Sequence, residues 1–279
     1  MYSRTIAIYC FLDDLLKALE HKEDSRAQVS DAEVLTCAIC AMLFFGGNYS
    51  RSREFLTESG LMPKMLEKSQ FSRRLSRLSD LVYLIFHQLG ETIKELNTES
   101  RYCLDSFPIA VCDNIRINRC RLTKPFIDKE QFRGFIASKR RYFYGIRVQM
   151  LATVSGLPVE YVVMPGESAD IQGLAEMPLN LPDSAQIALD SAYTEYLWED
   201  FAAETDQINL LVARKSNSKR RDIPSLHDYK LWLRRRIETV FSEITKLFPK
   251  KIHATNFTGF LLKISLFLFA YQIDKAFIQ

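Results

Sequence analysis

The chain has 279 residues, 47% hydrophobic and 25% charged, with a formal net charge of +3. This composition excludes disordered, collagen-like and disulfide-scaffold classes, and the length suits one large domain or a small one plus a medium one. Ten glycines and nine prolines argue against a long flexible linker, and six cysteines without dense spacing point to reduced thiols in a cytosol.

Helical patterns fill residues 1–97. Ile8, Leu12, Leu15, Leu16 and Leu19 fall at helical spacing. Ser30-Asp31-Ala32-Glu33 is a capping-box signature ahead of Val34–Phe45, and Gly46-Gly47-Asn48 closes that helix. Phe71, Leu75, Leu78 and Val82 form a further stripe, with Arg73, Arg74 and Arg77 off it. Those arginines read either as a helix that contacts DNA or as a solvated face.

After residue 100 short β-branched and aromatic runs take over: Tyr102–Cys112, Tyr142–Val154, Leu157–Met164, Gln186–Leu189 and Ile208–Val212. Ser155-Gly156 predicts a hairpin between the second and third. Helical patterns follow at Ala169–Glu176, Glu195–Glu204, Tyr229–Phe248 and Thr258–Ala276. The expected architecture is an all-helical N-terminal domain over residues 1–98 followed by an α/β domain with a mixed sheet over 99–279. No run reaches the roughly 18–20 apolar residues of a bilayer span; Phe260–Ile273 comes nearest and contains Lys263. Thr5–Leu12 runs into Asp13 and Asp14 without a small-residue cleavage site, so neither a signal peptide nor a membrane partner is expected.

The small net charge hides a partition. Residues 114–147 hold ten Lys/Arg against Asp128 and Glu130, and residues 213–236 hold nine against Asp222 and Asp228. These blocks carry +8 and +7, which leaves −12 for the rest of a chain totalling +3. Paired basic blocks read as a polyanion track, because neutralising phosphates releases counterions. Phe126, Phe132, Phe135, Tyr142, Phe143 and Tyr144 interleave the first block and suit base stacking or the core face of a strand.

Three carboxylates stand where carboxylates are costly. Asp105 lies inside a strand pattern between Leu104 and Phe107, with no cap or helical partner. Asp190 ends the strand Ile187-Ala188-Leu189 and could instead cap the following turn. Glu238 edges the apolar stripe Ile237, Val240, Phe241, Ile244, and could pair with Arg234 or Arg235 for about 0.2–0.5 kcal/mol. If the three converge they either take up protons or bind a metal cation, since carboxylates about 4 Å apart repel by roughly 4 kcal/mol at an effective dielectric of 20. All-oxygen ligands favour Mg²⁺ or Mn²⁺, and two such ions can drive an in-line phosphoryl displacement.

Leu104-Asp105-Ser106-Phe107-Pro108 followed by Val111-Cys112-Asp113-Asn114-Ile115-Arg116-Ile117 resembles the first catalytic block of DDE transposases, and more narrowly of the bacterial insertion sequence 982 family. Arg133–Gly145 resembles that family's next block, Leu189-Asp190-Ser191-Ala192-Tyr193 its second-Asp block, and Arg234–Ser242 its Glu block. The resemblance covers about residues 100–270. It implies a ribonuclease-H-like fold, which spacings of 85 residues from Asp105 to Asp190 and 48 from there to Glu238 suit.

It further implies DNA transposition, in which the element's ends are cleaved and a 3′-hydroxyl is joined to target DNA. Two Mg²⁺ or Mn²⁺ ions would be held by Asp105, Asp190 and Glu238, with Lys139, Arg140, Arg141, Arg214, Lys215 and Arg234 positioning phosphates. Expected partners are the terminal inverted repeats, target DNA and further copies of the chain, as a homodimer or higher oligomer, in a bacterial cytoplasm at the nucleoid. A nuclease without strand transfer and a non-catalytic DNA-binding derivative are the alternatives. Leu189 and Ser191 stand where the family often has Gly and Lys, and Leu231 and Thr245 where related transposases place Tyr and Lys around the Glu, so those signatures are met only approximately.

Other chemistries find little support. Cys37-Ala38-Ile39-Cys40 has no second pair and reads as buried thiols rather than a zinc site, and the histidines at 21, 87, 227 and 253 lack ligand spacing. No G-x-G-x-x-G, Walker A or G-x-S-x-G motif occurs.

Overall fold

The computed structural model describes residues 1–136 and 139–278. Ala137 and Ser138, which fall in the second block of the resemblance, lie outside the described residues. By internal contact the chain divides into two compact units, residues 1–85 with 246–279, and residues 86–245.

The first unit is helical. It contains α1 (Tyr2–Ala18), α2 (Asp31–Phe45), α3 (Tyr49–Glu58), α4 (Lys68–Arg77), the start of α5 (Ser79–Leu96), and the last helix of the chain (Phe257–Ile273). The capping box forms as expected: Ser30 Oγ accepts from the Glu33 amide, and Glu33 accepts from the Ser30 amide at 2.7 Å. Gly46 then ends α2 at φ +56°, a left-handed conformation that costs glycine little.

Cys37 and Cys40 are buried free thiols on α2. Burial pushes them up to about 12 and about 11, so both are protonated thiols at neutral pH.

The stripe from Phe71 to Val82 is divided between two helices, because Leu78 leaves helical geometry and Ser79 and Asp80 begin the next helix. Of the arginines beside it, Arg74 pairs with Asp31 at 2.6 Å and Glu23 at 3.6 Å, whereas Arg73 and Arg77 are exposed. The α-helix Phe257–Ile273 packs against α2 in the first unit. It is mostly apolar, from Phe260 through Phe269 to Ile273 with Lys263 as its one charged residue, and ten of its side chains are buried, as such a helix requires.

The second unit holds the sheet: β1 (Arg101–Cys112), β2 (Arg133–Ile136), β3 (Arg141–Thr153), β4 (Pro158–Pro165), β5 (Gln186–Leu189) and β6 (Asn209–Val212). Helices α6 (Asp170–Glu176), α7 (Tyr196–Thr205) and α8 (Pro224–Leu247) flank it; the last helix, Phe257–Ile273, is α9. The strand order is β2-β3-β1-β5-β6, with β4 also paired to β3. β3 runs antiparallel to β1, β2 and β4, whereas β1, β5 and β6 are parallel to one another. This mixed sheet flanked by helices, after a helical N-terminal region, is the ribonuclease-H-like arrangement that the sequence predicts.

The hairpin at Ser155-Gly156 forms, with Gly156 at φ +100°. β2 was not anticipated. It is four residues long, contains Gly134, and owes its existence to pairing with the start of β3. Tyr102, Leu104, Leu151, Ile187, Leu189 and Tyr193 belong to one buried cluster in the core of this unit. Helix α5 comes against β4 at Gly90, where an added Cβ would lie 2.0 Å from the Val159 carbonyl oxygen. Beside that contact His87 Nδ1 lies 2.5 Å from Glu160 Oε1. Among the described residues no single helix is long and apolar enough to cross a membrane.

Candidate active site

The register of two parallel strands brings the first pair of carboxylates together. Arg101, Tyr102 and Cys103 of β1 pair with Gln186, Ile187 and Ala188 of β5, a constant offset of 85 residues. Carried two residues further, that offset puts Asp105 beside Asp190. In-register residues of neighbouring parallel strands share a face, and the strands are about 4.8 Å apart. Asp105 therefore shares its side of the sheet with Asp190, and with Phe107, whose ring lies 6.2 Å from Phe241 of α8.

Burial pushes the Asp105 carboxyl up to about 7; Asp170 and Asp190 push the same way, against the Ser106 amide and Arg234. The amide donates to Oδ1 at 2.7 Å. Asp190 is held in the same manner, accepting from the Ser191 amide at 2.6 Å, and it caps the turn Ser191–Tyr193.

Helix α8 brings the third carboxylate through an intermediary. Arg234 Nη1 lies 3.8 Å from Asp190 Oδ1, and its Nε lies 3.4 Å from Glu238 Oε1, one helical turn on. Glu238 itself is 67% exposed by side chain and meets Asp190 only across that guanidinium. The pairing of Glu238 with Arg234, the ordinary alternative for this residue, is thus present. Among the described residues no three His, Cys, Asp or Glu side chains stand together as a metal-holding group.

Two residues that sequence reasoning missed belong to this neighbourhood. Asp170, at the start of α6, accepts from Ser106 Oγ at 2.6 Å and lies 3.7 Å from Arg147 Nη1. Tyr193 is 2% exposed, and its hydroxyl is buried without a hydrogen-bond partner. Burial first, then Asp170, Asp105 and Asp190, raise it well above the ordinary tyrosine range. Tyr193 stood in plain view in the second-Asp block, but nothing in spacing alone reveals an orphaned hydroxyl. The carboxylates of Asp105 and Asp190 are oxygen donors of the kind that a hard divalent cation takes.

The basic residues divide into displayed and consumed charge. Lys139, Arg140 and Arg141, at the β2–β3 turn, are exposed and form no ion pair among the described residues. Lys215 is also exposed and, with Lys219 and Ser191, lines a cavity of about 260 Å³ just past Asp190. Arg214, expected beside Lys215 on the phosphate track, is placed otherwise. Its side chain is only 10% exposed, Nη1 donates to Glu199 Oε1 at 2.8 Å and Nη2 donates to Oε2. It also lies over the Tyr196 ring. Arg220 pairs with Asp200, and Lys230 with Asp222 at 2.7 Å and the Val212 carbonyl at 3.0 Å. Arg214 and Arg220 of the second basic block thus neutralise acids outside it in sequence, which a linear charge count cannot reveal.

Residues 97–273 match the family model of the transposase DDE domain, and the chain belongs to that family. The family is one of DNA-binding, DNA-cleaving transposases that generally use divalent metal ions. No curated protein and no solved structure gives a significant match.

Proposed function

We propose that this chain is a transposase of the bacterial insertion sequence 982 kind, which cleaves the ends of a DNA element and joins the 3′-hydroxyl to target DNA. Asp105, Asp190 and Glu238 are its metal-holding carboxylates. The observation that supports the reading most is the β1–β5 register, whose 85-residue offset points Asp105 toward Asp190, one of the charges that raise the Asp105 carboxyl. When bound, two Mg²⁺ or Mn²⁺ ions would supply an activated nucleophile and stabilise the leaving oxygen of the phosphodiester.

The chain's own residues prepare that chemistry. Burial, with Asp170 and Asp190 beside it, keeps the Asp105 carboxyl protonated, and a divalent ion held there would offset both effects and favour the carboxylate. Arg234 neutralises Asp190 and Glu238 in the metal-free state. Lys139, Arg140, Arg141 and Lys215 supply displayed charge for DNA phosphates. Arg214 keeps the segment after β6 pinned to α7 through Glu199 instead of reaching DNA. The N-terminal helices carry Arg73 and Arg77 as the exposed charges for DNA-end binding. The working form is a dimer or higher oligomer on two DNA ends, at the nucleoid.

The direct test supplies labelled element ends, a circular target and Mg²⁺. Joined product supports transposition; nicks without joining would mean a nuclease, and metal-independent binding without cleavage a non-catalytic derivative. The two kinds of arginine should also separate experimentally. Replacing Lys139, Arg140 and Arg141 together by Ala should lower DNA affinity and flatten its salt dependence by up to about 0.9 per lost phosphate contact. Arg214→Ala should leave that slope unchanged and lower the urea midpoint, because it strands the nearly buried Glu199, at about 3–5 kcal/mol for a fully buried pair. An altered slope in Arg214→Ala would return this residue to the phosphate track.

A further inference from the structure

A second site lies in the helical unit, remote in sequence from the carboxylates. A cavity of about 600 Å³ opens between the turn from α2 into α3, the start of α4 and the segment that leads into α9. This volume is in the range of cavities that enclose small ligands. Its walls include Tyr49, Arg53, Lys68, His253 and Lys263, and among the described residues its lining contains no Asp or Glu.

Among cations partly or fully removed from water, Arg74, Arg214 and Lys230 all find carboxylates, whereas Arg53 and Lys263 of this cavity do not. Arg53, Lys68 and Lys263 form no ion pair among the described residues. The guanidinium of Arg53 donates from Nε and Nη2 to one carbonyl, that of Leu66, at 2.9 and 2.5 Å. Lys263 Nζ donates to the Gly47 carbonyl at 3.1 Å and lies 4.7 Å from the centre of the Tyr49 ring. Both contacts hold the ammonium in place, and neither carries a negative charge. Burial alone lowers its pKa, with no acid to offset the loss of water.

The interior of a helical unit gains nothing by keeping a partly desolvated cation unpaired in an open cavity, since an apolar residue of similar size would pack there at less cost. The same arrangement is productive if an anion completes it. Tyr49 and Phe71, whose rings lie 5.5 Å apart, give the cavity an aromatic wall of the kind that accepts a planar base.

We propose that this cavity binds the phosphomonoester of a nucleotide, with Lys263 as the central phosphate contact and Arg53 and Lys68 at its sides. The ligand is either a free nucleotide or the 5′-terminal nucleotide of a DNA strand. The site is independent of the carboxylates in the second unit.

The full-length chain, in EDTA so that no metal bridges phosphate to the carboxylates, is titrated by calorimetry. The probes are 2′-deoxyadenosine 5′-monophosphate, 2′-deoxyadenosine, and a short single strand with or without a 5′-phosphate. Expected is binding of the monophosphate but not of the nucleoside. Lys263→Met should weaken it about tenfold or more, as loss of a hydrogen bond to a charged group does, and Lys68→Gln by less. Asp105→Asn should bind as the parent does, which separates this site from the proposed active site.

Competition by the phosphorylated strand but not the hydroxyl-ended one assigns the site to strand ends; failure of both to compete assigns it to a free nucleotide. Absence of monophosphate binding at millimolar concentration overturns the proposal, as does unchanged affinity in Lys263→Met. Should that variant not fold, unchanged affinity in both Lys68→Gln and Arg53→Gln overturns it equally.

Discussion

Asp105→Asn is expected to lower Mg²⁺-dependent cleavage of element ends by roughly 10⁴-fold or more, as removal of a residue at the reacting centre commonly does. Asn keeps the shape of the side chain and one of its oxygens, so the β1 backbone and the contact with the Ser106 amide can persist. What it removes is the negative charge that a divalent ion needs, two residues beyond the last paired residues of β1 and β5. End-binding should remain close to that of the parent, because the displayed charges at Lys139, Arg140, Arg141 and Lys215 are untouched. The measurement pairs a gel-shift titration with a cleavage time course on one labelled end. Cleavage at parental rate with Mg²⁺ would remove Asp105 from the site, whereas joint loss of binding and cleavage would point to a structural role.

The same substitution should make the metal-free protein more stable at neutral and alkaline pH, the reverse of what a structural residue would show. The folded protein raises Asp105 from 3.8 to about 7. The unfolded chain therefore releases this proton near pH 4, while the folded chain keeps it until about pH 7. Over that interval the folded state binds more protons, so the contribution of Asp105 to stability is fully present below the unfolded value and falls as pH rises to about 7. Three pKa units correspond to a loss of about 4 kcal/mol at most, all of it in force above neutrality. Asn has no proton to lose.

In EDTA, urea midpoints of parent and variant should coincide near pH 4, and the variant's should be the higher near pH 8. Mg²⁺ should then raise the parent and leave the variant unmoved, since only the parent gains by binding the ion. A variant that is less stable at about pH 8 in EDTA would show that the carboxylate is already compensated without metal. Together the two measurements distinguish a site that trades stability for chemistry from one that merely holds the fold.

Much of the α/β framework was legible because it rests on local periodicity. The β5 strand falls on Gln186–Leu189 as predicted, the hairpin turns at Gly156, and the capping box at Ser30 starts α2. Each depends on residues within a few positions of one another. The short β2 strand was missed because Arg133–Ile136 has no strand pattern of its own and is stabilised by β3. The break at Leu78 was missed because an apolar stripe remains in phase across two helices when each buries the same side.

The carboxylates illustrate the division most sharply. That Asp105 and Asp190 are expensive residues at strand positions is a property of the linear chain, and so is the family membership that residues 97–273 carry. That they stand side by side depends on an 85-residue offset between parallel strands, which exists only once the crossover has closed. That Glu238 meets Asp190 through Arg234, that Arg214 is consumed by Glu199, and that the Tyr193 hydroxyl lacks a partner are likewise products of tertiary packing. Charge and hydrogen bonding act across a few ångströms of space, whatever the distance along the chain. Composition thus determined which groups were available, and folding decided which of them neutralise each other and which remain for a ligand.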